Sequence, residues 1–103
     1  MLAAMNDRDT IAKVREIVAR HPLPDFILGL DVRLGDTDGD PAMWLAFQTT
    51  PDAGHWNADV ERRVAAINAL EDALFPELLI AFEDRYPYFR YETARHLRAV
   101  PGE

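Results

Sequence analysis

The chain has 103 residues, of which 49% are hydrophobic and 28% charged, with no cysteine and a formal net charge of −7 at pH 7. These figures predict a single soluble domain over residues 1–103, with frayed ends at 1–6 and 99–103, and they exclude disulfide and thiol chemistry. No apolar run approaches the ~18 residues of a membrane helix, and the opening MLAAM lacks the basic region of a secretory signal. A cytoplasmic protein without a membrane segment is therefore expected.

Residue types that the chain lacks narrow the possible chemistry further. It contains no serine and no cysteine, so every mechanism with a serine or cysteine nucleophile is excluded. Its five glycines match neither a dinucleotide-binding fingerprint nor a P-loop. Nucleic-acid binding is not expected, because an acidic chain disfavours the neutralisation of phosphates on which nonspecific binding depends. No cofactor is predicted.

A first helix is predicted from about Asp7 to His21. Its apolar residues recur at helical spacing and form one stripe: Ile11, Val14, Ile17 and Val18. Asp7 or Asp9 is the expected cap, since a carboxylate accepts the free amide hydrogens of the first turn. Pro22 ends the helix, because it biases the preceding residue away from helical geometry.

Two strands follow, over Phe26 to Leu34 and about Ala42 to Thr49. In the first, alternation predicts two faces. Its core face holds Phe26, Leu28, Leu30, Val32 and Leu34. Its outer face holds Ile27, Gly29, Asp31 and Arg33. The same reasoning for the second strand places Met43, Leu45 and Phe47 in the core and Trp44, Ala46 and Gln48 outside.

A second helix is predicted from about Ala58 to Phe75, with Asn57 or Asp59 as its cap. The following segment, 76–85, is ambiguous between a short helix that begins at Pro76 and a strand, and a helix is favoured. A third strand over 86–92 follows from its aromatic residues. Its core-facing residues would be Phe89 and Tyr91, and its outward-facing residues Tyr88, Arg90 and Glu92. The remaining residues form a tail.

The elements together predict an α+β fold in the order α-β-β-α-(α)-β. The expected architecture is a two-layer sandwich: a small antiparallel sheet of about three strands with the helices packed on one face. This order resembles ferredoxin-like and half-ferredoxin modules, among them the dimeric cytoplasmic domain of cation-efflux transporters. The resemblance is one of topology, and the metal-ligand histidines of that family have no counterparts here.

The segment GDTDGDP, residues 35–41, contains three alternating aspartates, Asp36, Asp38 and Asp40. An EF-hand loop needs glycine at its sixth position and glutamate at its twelfth, and these positions are Pro41 and Phe47 here. The flanks also read as strands instead of helices. We therefore predict a hairpin turn with an acidic patch at its tip and no metal site.

The histidines and carboxylates suggest an alternative interpretation, in which the protein is an enzyme. His21, His55 and His96 lack the spacing of a zinc motif. Asp31 and Glu92 are expected to approach across the sheet, or else to pair with Arg33 and Arg90 as cross-strand ion pairs. A small enzyme that uses Asp31, Glu92, His55 or His96 is one alternative, although no catalytic residue is assigned.

The outer sheet face is the strongest candidate for function, because exposed aromatics with arginines mark interaction surfaces. The interface candidates are Ile27, Asp31, Arg33, Trp44, Tyr88 and Arg90. Our first hypothesis is a non-enzymatic domain that acts by protein–protein contact, as a homodimer through this face. The second is an acidic inhibitor, immunity or antitoxin-like protein whose Asp25–Asp59 region covers a basic partner.

Overall fold

The computed structural model describes residues 6–52 and 54–93. The elements run in the order α1 (Asp7–Ala19), β1 (Ile27–Thr37), β2 (Asp40–Thr49), α2 (Ala58–Ala81) and β3 (Tyr86–Thr93). The predicted α+β class is confirmed. The tail beyond residue 93, and the ends predicted to fray except for residue 6, lie outside the described residues.

Both helices pack on one face of a three-stranded sheet, which has the order β1-β2-β3. The residues that form the core come from both layers. The sheet contributes Val32, Met43, Leu45 and Phe47, and the helices contribute Val14, Ile17, Val18, Leu70, Leu74 and Leu78. Because all of these helical residues face one side of the sheet, the opposite, outer side is left without a helix in the described part of the chain.

A tight turn joins β1 to β2. Asp38 and Gly39 both have positive φ, 53° and 90°, as a two-residue type I′ hairpin requires. Thr37 and Asp40 close the ladder on either side of the turn. The predicted hairpin is therefore confirmed, and glycine at position 39 provides the left-handed geometry that a residue with a Cβ adopts only at a cost.

A β-bulge near the start of β1 corrects the predicted faces of that strand. Ile27 pairs with Thr49 and Gly29 with Gln48, so Leu28 is an extra residue in the ladder. Ile27 is 8% exposed and belongs to the core, whereas Leu28 is 60% exposed. The prediction that Ile27 lies on the outer face and Leu28 in the core is wrong, because one inserted residue exchanges the faces of a strand.

Asparagine caps both helices. The Asn6 side chain accepts a hydrogen bond from the backbone N–H of Asp9 at 2.8 Å, so the predicted aspartate cap of α1 is wrong. The Asn57 side chain accepts from the N–H of Val60 at 3.0 Å, which confirms the predicted cap of α2. An uncharged amide oxygen serves here as well as a carboxylate, because the cap needs only an acceptor of the right reach.

α2 continues through Pro76 to Ala81, and this continuity sets the direction of β3. The helix is ~36 Å long, comparable with the ~33 Å of β2, so it returns the chain to the end of the sheet where β2 begins. β3 therefore runs parallel to β2, and the sheet is mixed. The expectation of an antiparallel sheet is wrong for this pair of strands, because the long α2 carries the chain back along the full length of β2 before β3 begins.

Candidate functional site

The outer face of the sheet carries a row of side chains, here called the aromatic row, in which two rings and one arginine cross the three strands. Arg33 on β1 lies opposite Trp44 on β2, and Trp44 lies opposite Tyr88 on β3. The two rings stack with centroids 5.9 Å apart and planes 19° apart. Aromatic pairs on neighbouring strands stabilise a sheet face and give it shape, so this row is the most structured feature of the surface.

A second row, one step along the strands, carries charge. Asp31, Ala46 and Arg90 lie in register across the sheet. Asp31 accepts a hydrogen bond from Nε of Arg33, its neighbour on β1, at 2.9 Å. The cross-strand pairing predicted for these carboxylates is wrong, since the pair lies within one strand. Within residues 6–52 and 54–93, Arg90 and Glu92 form no ion pair.

Gly35 makes room for the Trp44 indole. A Cβ on Gly35 would lie 3.0 Å from Cζ3 of Trp44, closer than ordinary van der Waals contact. Beside it, Arg85 donates hydrogen bonds to the carbonyls of Gly35 and Ala42, at 3.1 and 2.7 Å. These contacts hold the end of the hairpin against the start of β3 and fix the surface on which Trp44 lies.

The outer face is shallow. It contains a depression of about 300 Å³ between Arg33, Trp44, Ala46 and Arg90. Five of the six predicted interface residues lie on this face: Asp31, Arg33, Trp44, Tyr88 and Arg90. The sixth, Ile27, is buried in the core. A broad face with partly exposed rings and charged side chains suits contact with a protein better than enclosure of a small molecule.

The aromatic row continues around the edge of the sheet. The Tyr86 ring lies 5.0 Å from that of Tyr88, and the Phe75 ring lies edge-on to Tyr86 at 5.5 Å. Four rings therefore touch in succession from Trp44 to α2. The sequence reasoning missed Phe75 and Tyr86, which flank the ambiguous segment, because their contact depends on the end of α2 lying beside the start of β3.

The candidate enzyme residues are not brought together. Asp31 and Glu92 lie on the two outer strands with β2 between them and are offset by two residues along the sheet, so their backbones are ~12 Å apart. His55 lies in the loop before α2, beside Trp56, whose indole N–H donates to Glu61 at 2.9 Å. His96 lies outside the described residues. The described residues therefore contain no cluster of these groups around a common cavity.

The three aspartates of the predicted acidic patch lie at the β1–β2 hairpin. Asp36, Asp38 and Asp40 are exposed there. In the part of the chain that the structure describes, no three histidine or acidic side chains are placed to hold a metal ion. The tip is therefore a solvated group of negative charges.

Among the described residues, two ionisable groups have a pKa shifted from its ordinary value. Burial, together with a 2.7 Å hydrogen bond to Glu71, raises the pKa of the Tyr91 hydroxyl. The hydrogen bond from Arg62 lowers the pKa of Asp59, and Arg63 acts in the same direction. Tyr91 lies on the core side and Asp59 at the start of α2, so neither group belongs to the outer face.

Comparisons with protein-family models, with curated proteins and with solved structures found no match to this chain. Among the residues described, no helix combines the length and the apolar character needed to span a membrane.

Proposed function

We propose that this protein is a small non-enzymatic domain that acts by protein–protein contact and forms a homodimer through the outer face of its sheet. The observation that supports this most strongly is the Trp44–Tyr88 stack on a face that carries no helix among the described residues. Tyr88 is 36% exposed. Tryptophan, tyrosine and arginine dominate the binding energy of protein interfaces, and all three meet here.

The distribution of charge favours the outer face, over the rest of the surface, as the place where two copies meet. Two copies that each carry a net charge of −7 repel one another. On the outer face, Asp31 and Glu92 are balanced by Arg33 and Arg90, so the face is locally neutral. A neutral patch on an acidic molecule is where two copies approach with the least repulsion.

A two-fold axis parallel to β2 makes the face complementary to itself. Because β2 is the central strand, such an axis lays β1 of one subunit over β3 of the other. Asp31 then faces Arg90 of the partner subunit, since both lie in register with Ala46. In the adjacent row, Arg33 faces Tyr88 of the partner subunit, where a guanidinium can lie over the ring.

The area of the outer face sets the expected affinity of the dimer. Three strands of about eight residues give a face of roughly 400 Å² in projection, whereas standard interfaces bury about 800 Å² of accessible surface per partner. The dimer should therefore be weak, with a dissociation constant in the micromolar range. Measurements must extend from micromolar to low-millimolar protein.

The first test compares the two tryptophans by analytical ultracentrifugation. The wild-type protein should dimerise reversibly, and Trp44→Lys should remain monomeric, because it removes the central ring and adds two like charges at the axis. Trp56→Lys is the matched control: Trp56 is 66% exposed in a loop outside the sheet, so this variant should dimerise as the wild type does. A wild-type protein that stays monomeric at millimolar concentration refutes the proposal.

A charge exchange tests the two-fold arrangement. Asp31→Arg and Arg90→Asp should each weaken the dimer by about tenfold, since each affects two symmetric contacts. The double variant should recover affinity, because the exchanged charges again face each other. A double variant as weak as the single variants contradicts this axis.

The acidic hairpin tip, as a surface for a basic partner, stays a prediction.

A further inference from the structure

A groove of about 440 Å³ lies between α2 and the free edge of β3, around the corner from the outer face. Phe75 and Tyr86 contribute apolar rings to it, and Glu71 and Asp72 contribute carboxylates. Tyr86 is 49% exposed. The groove therefore combines aromatic surface with negative charge along a strand edge.

The edge of β3 has backbone groups available for pairing. β3 contacts β2 on one side and no other strand among the described residues. Within a sheet, proline is accepted where its nitrogen faces away from the ladder, so Pro87 marks the side of β3 that faces the groove. Alternation along the strand then directs the N–H and C=O groups of Phe89 and Tyr91 to the same side. An edge of this kind accepts an added strand.

The charges indicate which side chain such a strand would carry. Asp72 is exposed and forms no ion pair within the part of the chain described here. One oxygen of Glu71 accepts from the Tyr91 hydroxyl at 2.7 Å, which leaves the other for a ligand. A cation beside these carboxylates would also lie against the Phe75 and Tyr86 rings, which meet at 5.5 Å, and aromatic faces attract cations.

We propose that this groove binds an extended, basic peptide segment of a partner protein, which adds a strand to the free edge of β3 and places a lysine or arginine side chain against Phe75, Glu71 and Asp72. The overall charge of −7 attracts such a segment from a distance. The site borders the proposed dimer contact and shares Tyr88 with it, but Phe75, Glu71 and Asp72 lie on α2, outside the outer face.

The test uses three synthetic octapeptides and ¹⁵N-labelled protein. The first alternates valine and threonine around a central arginine, the second has glutamate in place of arginine, and the third keeps arginine but carries N-methyl groups on alternate amides. The arginine peptide at low-millimolar concentration should shift the amide resonances of residues 86–91 that bear an N–H. The glutamate peptide should cause no shift, because its charge is reversed. The N-methylated peptide should cause no shift either, because it cannot pair with the strand.

Protein variants separate this site from general attraction to an acidic molecule. Glu71→Gln with Asp72→Asn should weaken binding of the arginine peptide by about fivefold. Asp7→Asn with Asp25→Asn removes the same charge from exposed positions outside the groove and should leave the affinity nearly unchanged. Trp44→Lys should still bind, which keeps this result distinct from that of the dimer test.

Four results overturn the proposal. They are no shift with the arginine peptide, equal binding of the glutamate peptide, equal losses in the two pairs of charge variants, and shifts of the same β3 amides with protein concentration alone in Trp44→Lys, which lacks the outer-face contact. The last would assign the edge to a second copy of the chain.

Discussion

Arg63 should account for a large share of the stability that joins α2 to the sheet. Its guanidinium donates to the carbonyl and the hydroxyl of Thr50, at 2.8 and 2.9 Å, and to Asp59 at 3.1 Å. It also lies 4.9 Å from the centre of the Phe26 ring. The Arg63 side chain is 15% exposed, so these contacts are largely shielded from water. One side chain thus connects the start of α2, the end of β2 and the residue before β1.

The expected cost of Arg63→Ala follows from these contacts. Two hydrogen bonds from a charged donor contribute about 1 kcal/mol or more each, and the contact with Phe26 adds about 0.5–1 kcal/mol. We expect the free energy of unfolding to fall by about 2–4 kcal/mol. Arg63→Lys should cost less, because it keeps the charge but loses the fork that reaches both oxygens of Thr50.

Arg62→Ala is the matched control, because it removes the same charge one residue away. Arg62 is 58% exposed and contacts only Asp59, at 2.6 Å, among the described residues, so its loss should cost about 0.5 kcal/mol or less. Urea unfolding, followed by tryptophan fluorescence and circular dichroism, measures all three variants. Equal costs for Arg62→Ala and Arg63→Ala would refute this account of how α2 is held.

Two further predictions concern the core side of the sheet. Because the folded state raises the pKa of Tyr91, the unfolded chain loses this proton first, and the free energy of unfolding should fall above pH ~10 by less than ~1.4 kcal/mol per pH unit. Tyr91→Phe should remove that slope in urea titrations at pH 9 and above, and an unchanged slope would assign it to other groups. Ile27→Ala should cost about 2–4 kcal/mol and Leu28→Ala under ~1 kcal/mol, since only Ile27 is buried. The reverse order in thermal or urea unfolding would show that β1 has no bulge at this point.

Local patterns in the sequence determined most of the elements. Helical spacing identified α1 and the first three-quarters of α2, and alternation identified the faces of β2 correctly. The Asp38–Gly39 pair specified the hairpin, since both residues accept positive φ. Each of these features depends on residues a few positions apart, so periodicity and turn chemistry were sufficient to find them.

Contacts between distant residues decided the rest. The exposure of Leu28 in place of Ile27 depends on the register between β1 and β2, which alternation within one strand cannot reveal. The direction of β3 depends on whether α2 continues through Pro76, and proline in a helix is tolerated only where the surrounding packing compensates for the missing hydrogen bond.

The candidate sites divide in the same way. Alternation placed Trp44, Tyr88 and Arg90 on one face from sequence alone, because each strand shows two sides. The groove beside Phe75 and Tyr86 could not be predicted from the sequence, since it exists only where the end of a long helix returns to the edge of the sheet. The sequence determined which residues the outer face displays. The tertiary structure decided which residues are their neighbours on adjacent strands, because strand register and chain direction are set by packing between elements.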